Sequence, residues 1–139
     1  MLNLFNSEPK HLTPKDGEFI YYPDYFEPSE SENYYKFLLN QIPWQQDTIQ
    51  MYGKEHPLPR KTAWYGNAGK SYTYSGIKMD PHDWNPELLS IKNKIEETVK
   101  IQFNSLLLNL YEDGDHNVAW HADDEKELGD ETTIASVSF

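Results

Sequence analysis

The segment Phe103–Tyr111 constrains the fold of this chain more than any other stretch of its sequence. It is strongly apolar, and the alternation of its side chains predicts a β-strand. A turn at residues 113–115 and a short extended segment at 118–121 are predicted to follow it. One face of the strand would carry Phe103, Ser105, Leu107, Asn109 and Tyr111, and the other Leu106, Leu108 and Leu110.

The tripeptide His121-Ala122-Asp123, just after this strand, is a candidate metal site. Residues i and i+2 of an extended segment point the same way, so an imidazole and a carboxylate can converge on one ion. They are two of the three ligands of the 2-His-1-carboxylate geometry that binds non-haem Fe(II) and leaves positions open for O2 and a co-substrate. The alternative is a solvated polar loop, because five histidines and 23 acidic residues make a chance His-x-Asp unremarkable.

The rest of the chain predicts two helices among short strands. Ser29 and Glu32 form a capping box that starts a helix ending before Pro43. Asn85 caps a second helix, with Pro86 at its first position. Residues 1–18 are predicted to form a loose arm, and short strands are predicted at 19–22, 48–52, 61–65, 72–74 and 133–139. This order favours an α+β fold. The apolar helix faces would be Tyr34, Phe37, Leu38 and Ile42, and then Leu88, Ile91, Ile95 and Val99.

Composition and charge narrow the functional classes. The absence of cysteine excludes disulfides, thiolate zinc sites and thiol catalysis. No apolar run approaches the roughly 18 residues of a membrane span, and the first residues do not resemble a signal peptide. We therefore expect an intracellular protein, in the cytoplasm, nucleoid or nucleus, without membrane association. The net charge of −11 counts against simple electrostatic binding of nucleic acid, although a local basic stripe containing Arg60, Lys61 and Lys70 is compatible with it.

Three further groups of side chains could belong to a site, and each also has a simpler explanation. Asn109 and Tyr111 share a strand face and could line an acid-binding pocket, or be satisfied polar groups at a strand end. Asp124 and Glu125 could face a substrate with hydrogen-bond donors, or lie in a solvated acidic turn. Aromatic residues of the middle section could pack in the core or stack on a flipped or single-stranded base. These aromatic residues are Trp44, Trp64, Tyr65, Tyr72 and Tyr74.

Taken together, five segments resemble the AlkB family of Fe(II)- and 2-oxoglutarate-dependent dioxygenases, especially its animal-type nucleic-acid demethylases. They follow the order of the family and span most of residues 44–139. The resemblance implies part of a double-stranded β-helix, or jelly roll, with two flanking helices, in which residues 19–139 form the N-terminal part of the dioxygenase domain. The matching segments are Pro59–Gly66, Tyr72–Gly76, Phe103–Tyr111, Trp120–Glu125 and Ile134–Phe139.

The resemblance also implies roles for individual residues. His121 and Asp123 would be iron ligands, and Asn109 and Tyr111 would contact 2-oxoglutarate. Asp124 matches the family aspartate that meets the exocyclic group of the damaged base. The other implied substrate contacts are Trp44, Arg60, Tyr72, Thr73, Tyr74 and Glu125.

The implied activity is oxidative demethylation of alkylated DNA or RNA, with Fe(II) as the metal and 2-oxoglutarate as co-substrate. Hydroxylation of an N-methyl group gives a product that loses formaldehyde and restores the base. Two alternatives are a non-catalytic barrel fragment that binds nucleic acid or a protein partner, and a 2-oxoglutarate oxygenase with a substrate other than nucleic acid. The net charge of −11 favours the latter.

The C-terminal end carries one more expectation. The chain stops inside an apolar segment, and the family's third ligand, a histidine, and its 2-oxoglutarate-binding arginines would lie downstream. We therefore expect the third iron ligand to be absent from this chain, which would be the N-terminal part of a longer domain. Alone, the chain is expected to be inactive and poorly folded, whereas the full-length protein is expected to be an active monomer.

Overall fold

A computed structural model describes residues 8–74, 76–121 and 132–139. These residues form two helices and eight short strands, and the strands pair as four two-stranded antiparallel sheets. The chain divides into two compact units, Met1–Asn40 with Phe139 and Gln41–Ser138. The helices and antiparallel strand pairs agree with the α+β prediction, whereas the jelly roll and the predicted domain boundaries stay predictions.

The first unit contains a hairpin and a helix. β1 (Lys10–Leu12) pairs antiparallel with β2 (Phe19–Tyr21), and α1 (Pro28–Gln41) follows. β2 and the end of α1 before Pro43 confirm the sequence prediction. β1 lies in the segment that the sequence predicts to be a loose arm, and all three of its residues are exposed. Because β1 has no buried face, its sequence lacks the alternation of apolar and polar residues that would indicate a strand.

The start of α1 differs from the predicted capping box. The amide of Ser31 donates to the carbonyl oxygen of Glu27 at 2.8 Å, so the helix begins at Pro28 and Ser29 lies inside its first turn. Proline suits this first position because the amide that it lacks would have no partner within the helix. The predicted apolar face is confirmed, since its first three members are half-buried and Ile42 is buried.

Phe26 is the buried centre of the first unit. Its ring centroid lies 5.1 Å from that of Tyr25 and 5.1 Å from that of Phe139. The predicted strand at 133–139 is wrong, because residues 132–139 have no strand assignment and Ile134 and Val137 are exposed. Apolar alternation makes a strand only where a second strand supplies hydrogen bonds, and none of the described strands pairs with this segment.

The second unit opens with a tight hairpin. β3 (Thr48–Met51) pairs antiparallel with β4 (Lys54–Pro57). The turn residues Tyr52 and Gly53 have φ angles of 51° and 73°, and two positive φ angles are what a type I′ hairpin turn requires. β3 confirms the sequence prediction, whereas no strand was predicted at the position of β4. Every residue of β4 is exposed, so it too lacks an apolar face.

The central strand pair of this unit joins distant parts of the sequence. β5 (Lys61–Gly66) runs antiparallel to β8 (Ser105–Leu110), with Thr62 opposite Asn109. On the same sheet face, Trp64 packs with Tyr72 and Met79 in a buried cluster, against which Leu107 packs. The predicted strand is confirmed as β8, and its face that carries Leu107 lies towards this cluster.

The remaining elements support this pair. β6 (Tyr72–Tyr74) confirms the strand predicted at 72–74, and it pairs antiparallel with β7 (Ile77–Met79), which was not predicted. α2 (Pro86–Val99) begins as predicted, because the Asn85 side chain accepts a hydrogen bond from the amide of Leu88 at 2.8 Å. Residues 118–121, expected to be extended, have no strand assignment. In the described ranges neither helix is long and apolar enough to cross a membrane.

Candidate functional site

A pocket of about 60 Å³ lies beside the β5–β8 pair in the second unit. The two strands contribute side chains from the same sheet face, with Thr62 from β5 and Leu107 and Asn109 from β8. Five apolar side chains line part of the wall. The polar lining consists of Asp47, Arg60, Thr62, Tyr72, Asn109 and His121.

His121 has the hydrogen bonding of a metal ligand. Its Nδ1 lies 2.8 Å from the carbonyl oxygen of Ala119. A carbonyl only accepts, so Nδ1 is the donor in this contact. Metal-binding histidines commonly donate their second ring N–H to a backbone carbonyl in this way, which fixes the tautomer and the ring plane.

The rest of the predicted metal site is not placed by the structure. Asp123 lies outside the described residues, as do Asp124 and Glu125. Among residues 8–74, 76–121 and 132–139, no three histidine or carboxylate side chains are grouped so that they could hold a metal ion. His121 therefore fits the family's iron as a single ligand, and the Fe(II) site of His121 and Asp123 stays a prediction.

The two residues predicted to bind 2-oxoglutarate are placed differently. Asn109 is exposed and lines the pocket together with His121. Tyr111 lies just beyond the end of β8, is 43% exposed, and does not line the pocket. The structure thus brings Asn109 and His121 to one cavity.

Tyr72 provides the aromatic wall of the pocket. It is buried, and its ring stacks on that of Trp64 with a centroid distance of 4.8 Å and an interplanar angle of 22°. The indole Nε1 of Trp64 donates to the carbonyl oxygen of Lys70 at 2.6 Å, which fixes the plane of the stack. Thr73, the next residue of β6, is exposed and does not line the pocket.

The other predicted substrate residues are less closely connected with the pocket. The Tyr74 side chain lies outside the description, and Trp44 is half-buried and not part of the lining. Arg60 does line the pocket, but it is only 5% exposed. A basic residue predicted for a substrate-binding surface is therefore built into the wall of the cavity.

Sequence reasoning missed Asp47 and Thr62. Both side chains are buried, both line the pocket, and the Thr62 hydroxyl donates to Asp47 Oδ2 at 3.2 Å. No motif marked Asp47, which stands alone before β3. Thr62 could have been found from its place two residues after Arg60, since alternate residues of a strand share a face.

The opposite face of β5 carries the titratable phenol of Tyr65, which lies outside the pocket. Tyr65 is buried, and loss of water raises the pKa of its phenol, partly countered by a side-chain hydrogen bond with Asn85. Its ring lies 5.2 Å from that of His82. Tyr65 does not line the pocket, and its contacts with Asn85 and His82 are structural.

Comparison with known proteins identifies the family. The sequence matches the 2OG-Fe(II) oxygenase superfamily over residues 18–139, so the chain belongs to this superfamily. It is 43% identical over 118 residues to the alpha-ketoglutarate-dependent dioxygenase alkB homolog 3 of Bos taurus, covering 84% of this chain and 41% of that protein. The human protein of that name is 43% identical over 119 residues, covering 85% of this chain and 41% of the human sequence.

A second group of relatives carries a more specific name. The DNA oxidative demethylase ALKBH2 of Mus musculus is 44% identical over 91 residues, covering 66% of this chain and 38% of that protein. The chain thus spans about two fifths of the length of the curated relatives that it matches. These similarities confirm the resemblance to animal AlkB proteins that the sequence motifs predicted.

Proposed function

We propose that the protein is an Fe(II)- and 2-oxoglutarate-dependent dioxygenase that oxidatively demethylates alkylated bases in DNA or RNA. Membership of the superfamily and similarity to proteins named as dioxygenases and DNA oxidative demethylases support it. The observation that carries the proposal for this chain is the pocket, which brings His121, oriented by its contact with Ala119, together with Asn109 and the stacked Tyr72.

In this proposal the metal and the co-substrate are held at the β8 end of the pocket. His121 and Asp123 would hold Fe(II), and Asn109 and Tyr111 would contact 2-oxoglutarate. Bound iron supplies the oxidation of the methyl carbon by O2, coupled to the loss of carbon dioxide from 2-oxoglutarate. The contact between His121 Nδ1 and the carbonyl oxygen of Ala119 fixes the orientation of the ring.

The base would lie against Tyr72. Its ring is locked by Trp64, so stacking costs little side-chain entropy, and a π-face accepts any base. Arg60 would stabilise a phosphate or a carbonyl group from the wall. The further proposed contacts, by analogy with the family, are Trp44, Thr73, Tyr74, Asp124 and Glu125.

The fold proposal follows from the same pair of strands. β5 and β8 are antiparallel neighbours that place Thr62 and Asn109 side by side in the pocket wall, and a jelly roll is built from antiparallel strands paired in this way. We propose that residues 19–139 form the N-terminal part of such a domain. A structure of the protein at its natural length would show whether further strands extend the β5–β8 pair.

The test is formaldehyde release from methylated DNA and RNA oligonucleotides by the natural full-length protein. His121→Ala should abolish both formaldehyde and succinate production. His11→Ala is the matched control, because His11 is an exposed residue of β1 in the first unit. Wild-type-like succinate production by His121→Ala would reject the metal assignment. Binding of methylated oligonucleotide without formaldehyde release would instead indicate a non-catalytic nucleic-acid-binding protein.

One observation favours a second candidate. The net charge of −11 is unfavourable for approach to a polyanion and has no such cost for a protein or lipid substrate. The same assay distinguishes the two candidates: 2-oxoglutarate turnover that no methylated oligonucleotide stimulates would indicate an oxygenase with another substrate.

A further inference from the structure

The side-chain amide of Gln46 joins three residues of the pocket wall. Its Nε2 donates to the carbonyl oxygens of Leu58 at 2.9 Å, Asp47 at 3.2 Å and Arg60 at 3.4 Å. An NH2 group has two hydrogens, so two of these acceptors share one of them. All three acceptors belong to residues that line the pocket, whereas Gln46 does not line it. The wall is therefore held by a residue that is not part of it.

Gln46 supplies hydrogen bonds where a proline interrupts the pairing of the backbone. It precedes the β3–β4 hairpin, and Leu58 and Arg60 follow it, so its contacts close the base of the hairpin. The amide of Leu58 donates to the carbonyl oxygen of Asp47 at 2.8 Å, but the next residue, Pro59, has no amide to continue this pairing. The side chain of Gln46 therefore fills the gap that the proline leaves.

The segment 58–60 is also attached to the loop that carries His121. The amide of Asn117 donates to the carbonyl oxygen of Pro59 at 2.8 Å, and His121 keeps its own contact with Ala119. Neither contact involves Gln46. Loss of the Gln46 amide should therefore loosen the wall at Arg60 and leave the β8 end of the pocket, with His121, in place.

We propose that Gln46 is a positioning residue, which fixes Arg60 in the pocket wall and thereby raises the affinity for the oligonucleotide. The inference rests on the proposed function, in which Arg60 stabilises a phosphate or a carbonyl group of the substrate. Arg60 is only 5% exposed, so the wall confines its side chain, and a shift of its backbone moves its guanidinium. The expected effect is about fivefold in KM, which is within the range for loss of one neutral hydrogen bond.

The experiment measures formaldehyde release from a methylated oligonucleotide by the natural full-length protein, with the oligonucleotide and 2-oxoglutarate varied in turn. Gln46→Ala should raise KM for the oligonucleotide about fivefold, whereas kcat and KM for 2-oxoglutarate should change by less than about twofold. Gln46→Glu keeps the length of the side chain but, when ionised, cannot donate, and it should resemble Gln46→Ala.

Gln50→Ala is the matched control. Gln50 is an exposed glutamine of β3, and its Nε2 donates to the Glu55 side chain at 3.1 Å instead of to the pocket wall. This variant should leave all three kinetic constants unchanged. An equal rise of the oligonucleotide KM in Gln46→Ala and Gln50→Ala would overturn the inference, and so would a wild-type KM in both Gln46 variants.

A role of Gln46 in stability alone gives a different result. Partial unfolding reduces the fraction of active protein, which lowers kcat and leaves KM unchanged; this outcome would also overturn the inference. Gln46 is an exposed residue, so its variants are expected to fold, and either variant suffices for the comparison. Hydrogen exchange at the amide of Leu58 should be faster in Gln46→Ala than in Gln50→Ala.

Binding of the same oligonucleotide to the iron-free protein, followed by fluorescence anisotropy, separates this inference from the proposed function. Gln46→Ala should weaken binding about fivefold relative to Gln50→Ala. A wild-type protein that binds the oligonucleotide without releasing formaldehyde would reject the proposed activity, and the anisotropy ratio would then decide the role of Gln46. A wild-type protein that neither binds nor demethylates it would reject both.

Discussion

The carboxylate of Glu96 links the last turn of α2 to the strand that carries Asn109. Its Oε1 accepts a hydrogen bond from Lys92 Nζ at 2.9 Å, and its Oε2 accepts one from the amide of Phe103 at 2.7 Å. The hydrogen bond from Lys92, and after it the one from Phe103, lower the pKa of Glu96 below the usual 4.5. Glu96 thus ties Phe103, two residues before β8, to the end of α2.

Truncation of this side chain should destabilise the protein measurably. A hydrogen bond to a charged group contributes roughly 1.5–3 kcal/mol, and an i,i+4 ion pair adds about 0.5 kcal/mol or less. We expect Glu96→Ala to lower the free energy of unfolding by about 2 kcal/mol, and Glu96→Gln, which keeps an acceptor for Phe103, by about 1 kcal/mol. Glu97→Ala is the control, because Glu97 is the exposed neighbour on the same helix; it should change stability by less than about 0.5 kcal/mol.

The pH dependence of the free energy of unfolding tests whether the charge of Glu96 causes this stabilisation. The pKa of Glu96 is lower in the folded state than in the unfolded state. The carboxylate therefore contributes its full share to the free energy of unfolding above the unfolded-state pKa. This contribution is lost as the pH falls through the folded-state pKa. Urea unfolding followed by tryptophan fluorescence should therefore show a gap between wild type and Glu96→Ala at pH 7 that shrinks below about pH 4. Amide exchange at Phe103 should accelerate in Glu96→Ala. A gap that widens with acid, or no difference from Glu97→Ala at pH 7, would refute the reasoning.

Three further substitutions test the packing around the pocket, each by urea unfolding. Leu88→Ala removes the most deeply buried side chain of α2 and should lower the free energy of unfolding by about 3 kcal/mol. Leu89→Ala, at a 36% exposed position, should lower it by under about 1 kcal/mol. Equal losses would contradict the assigned helix face. Gly66→Ala places a methyl group 3.0 Å from the carbonyl oxygen of Asn104 and should cost roughly 1–3 kcal/mol; a neutral result would mean that the strands can separate there. Asn85→Ala removes the cap of α2 and should cost about 1 kcal/mol, while Asn85→Asp should retain most of the stability.

Elements with a strong local pattern were predictable from the sequence. The alternation in β8 assigned Leu107 and Asn109 to the face that lines the pocket. The pair Asn85-Pro86 marked the start of α2, because side-chain capping and the missing proline amide act locally. β1, β4 and β7 were missed: every residue of β1 and β4 is exposed, and β7 has only three residues, too few for an alternation to indicate a strand.

The other errors and omissions of the sequence predictions arise because those features depend on contacts between distant parts of the chain. Residues 133–139 alternate as a strand does, but Phe139 packs as an aromatic ring and none of the described strands pairs with this segment. His121 was identified through its motif, whereas Asp47 became visible only when the structure placed it beside Thr62, because no local pattern records a contact between distant segments. The predictions for Asp123, Asp124 and Glu125 lie outside the described residues.

The pairing of β5 with β8 has a consequence for the order in which the molecule assembles. The ion pair of Lys61 and Glu112, at one end of this pair, joins residues that are 51 positions apart in the sequence. Closing such a loop carries an entropy cost before any contact is gained, so non-local pairs of this kind form slowly. The hairpins β3–β4 and β6–β7 and the helix α2 are local and can form earlier. During synthesis the pocket therefore cannot be complete until β8 and His121 have left the ribosome, and until then Trp64 can pack with Tyr72 and Met79 but not with Leu107.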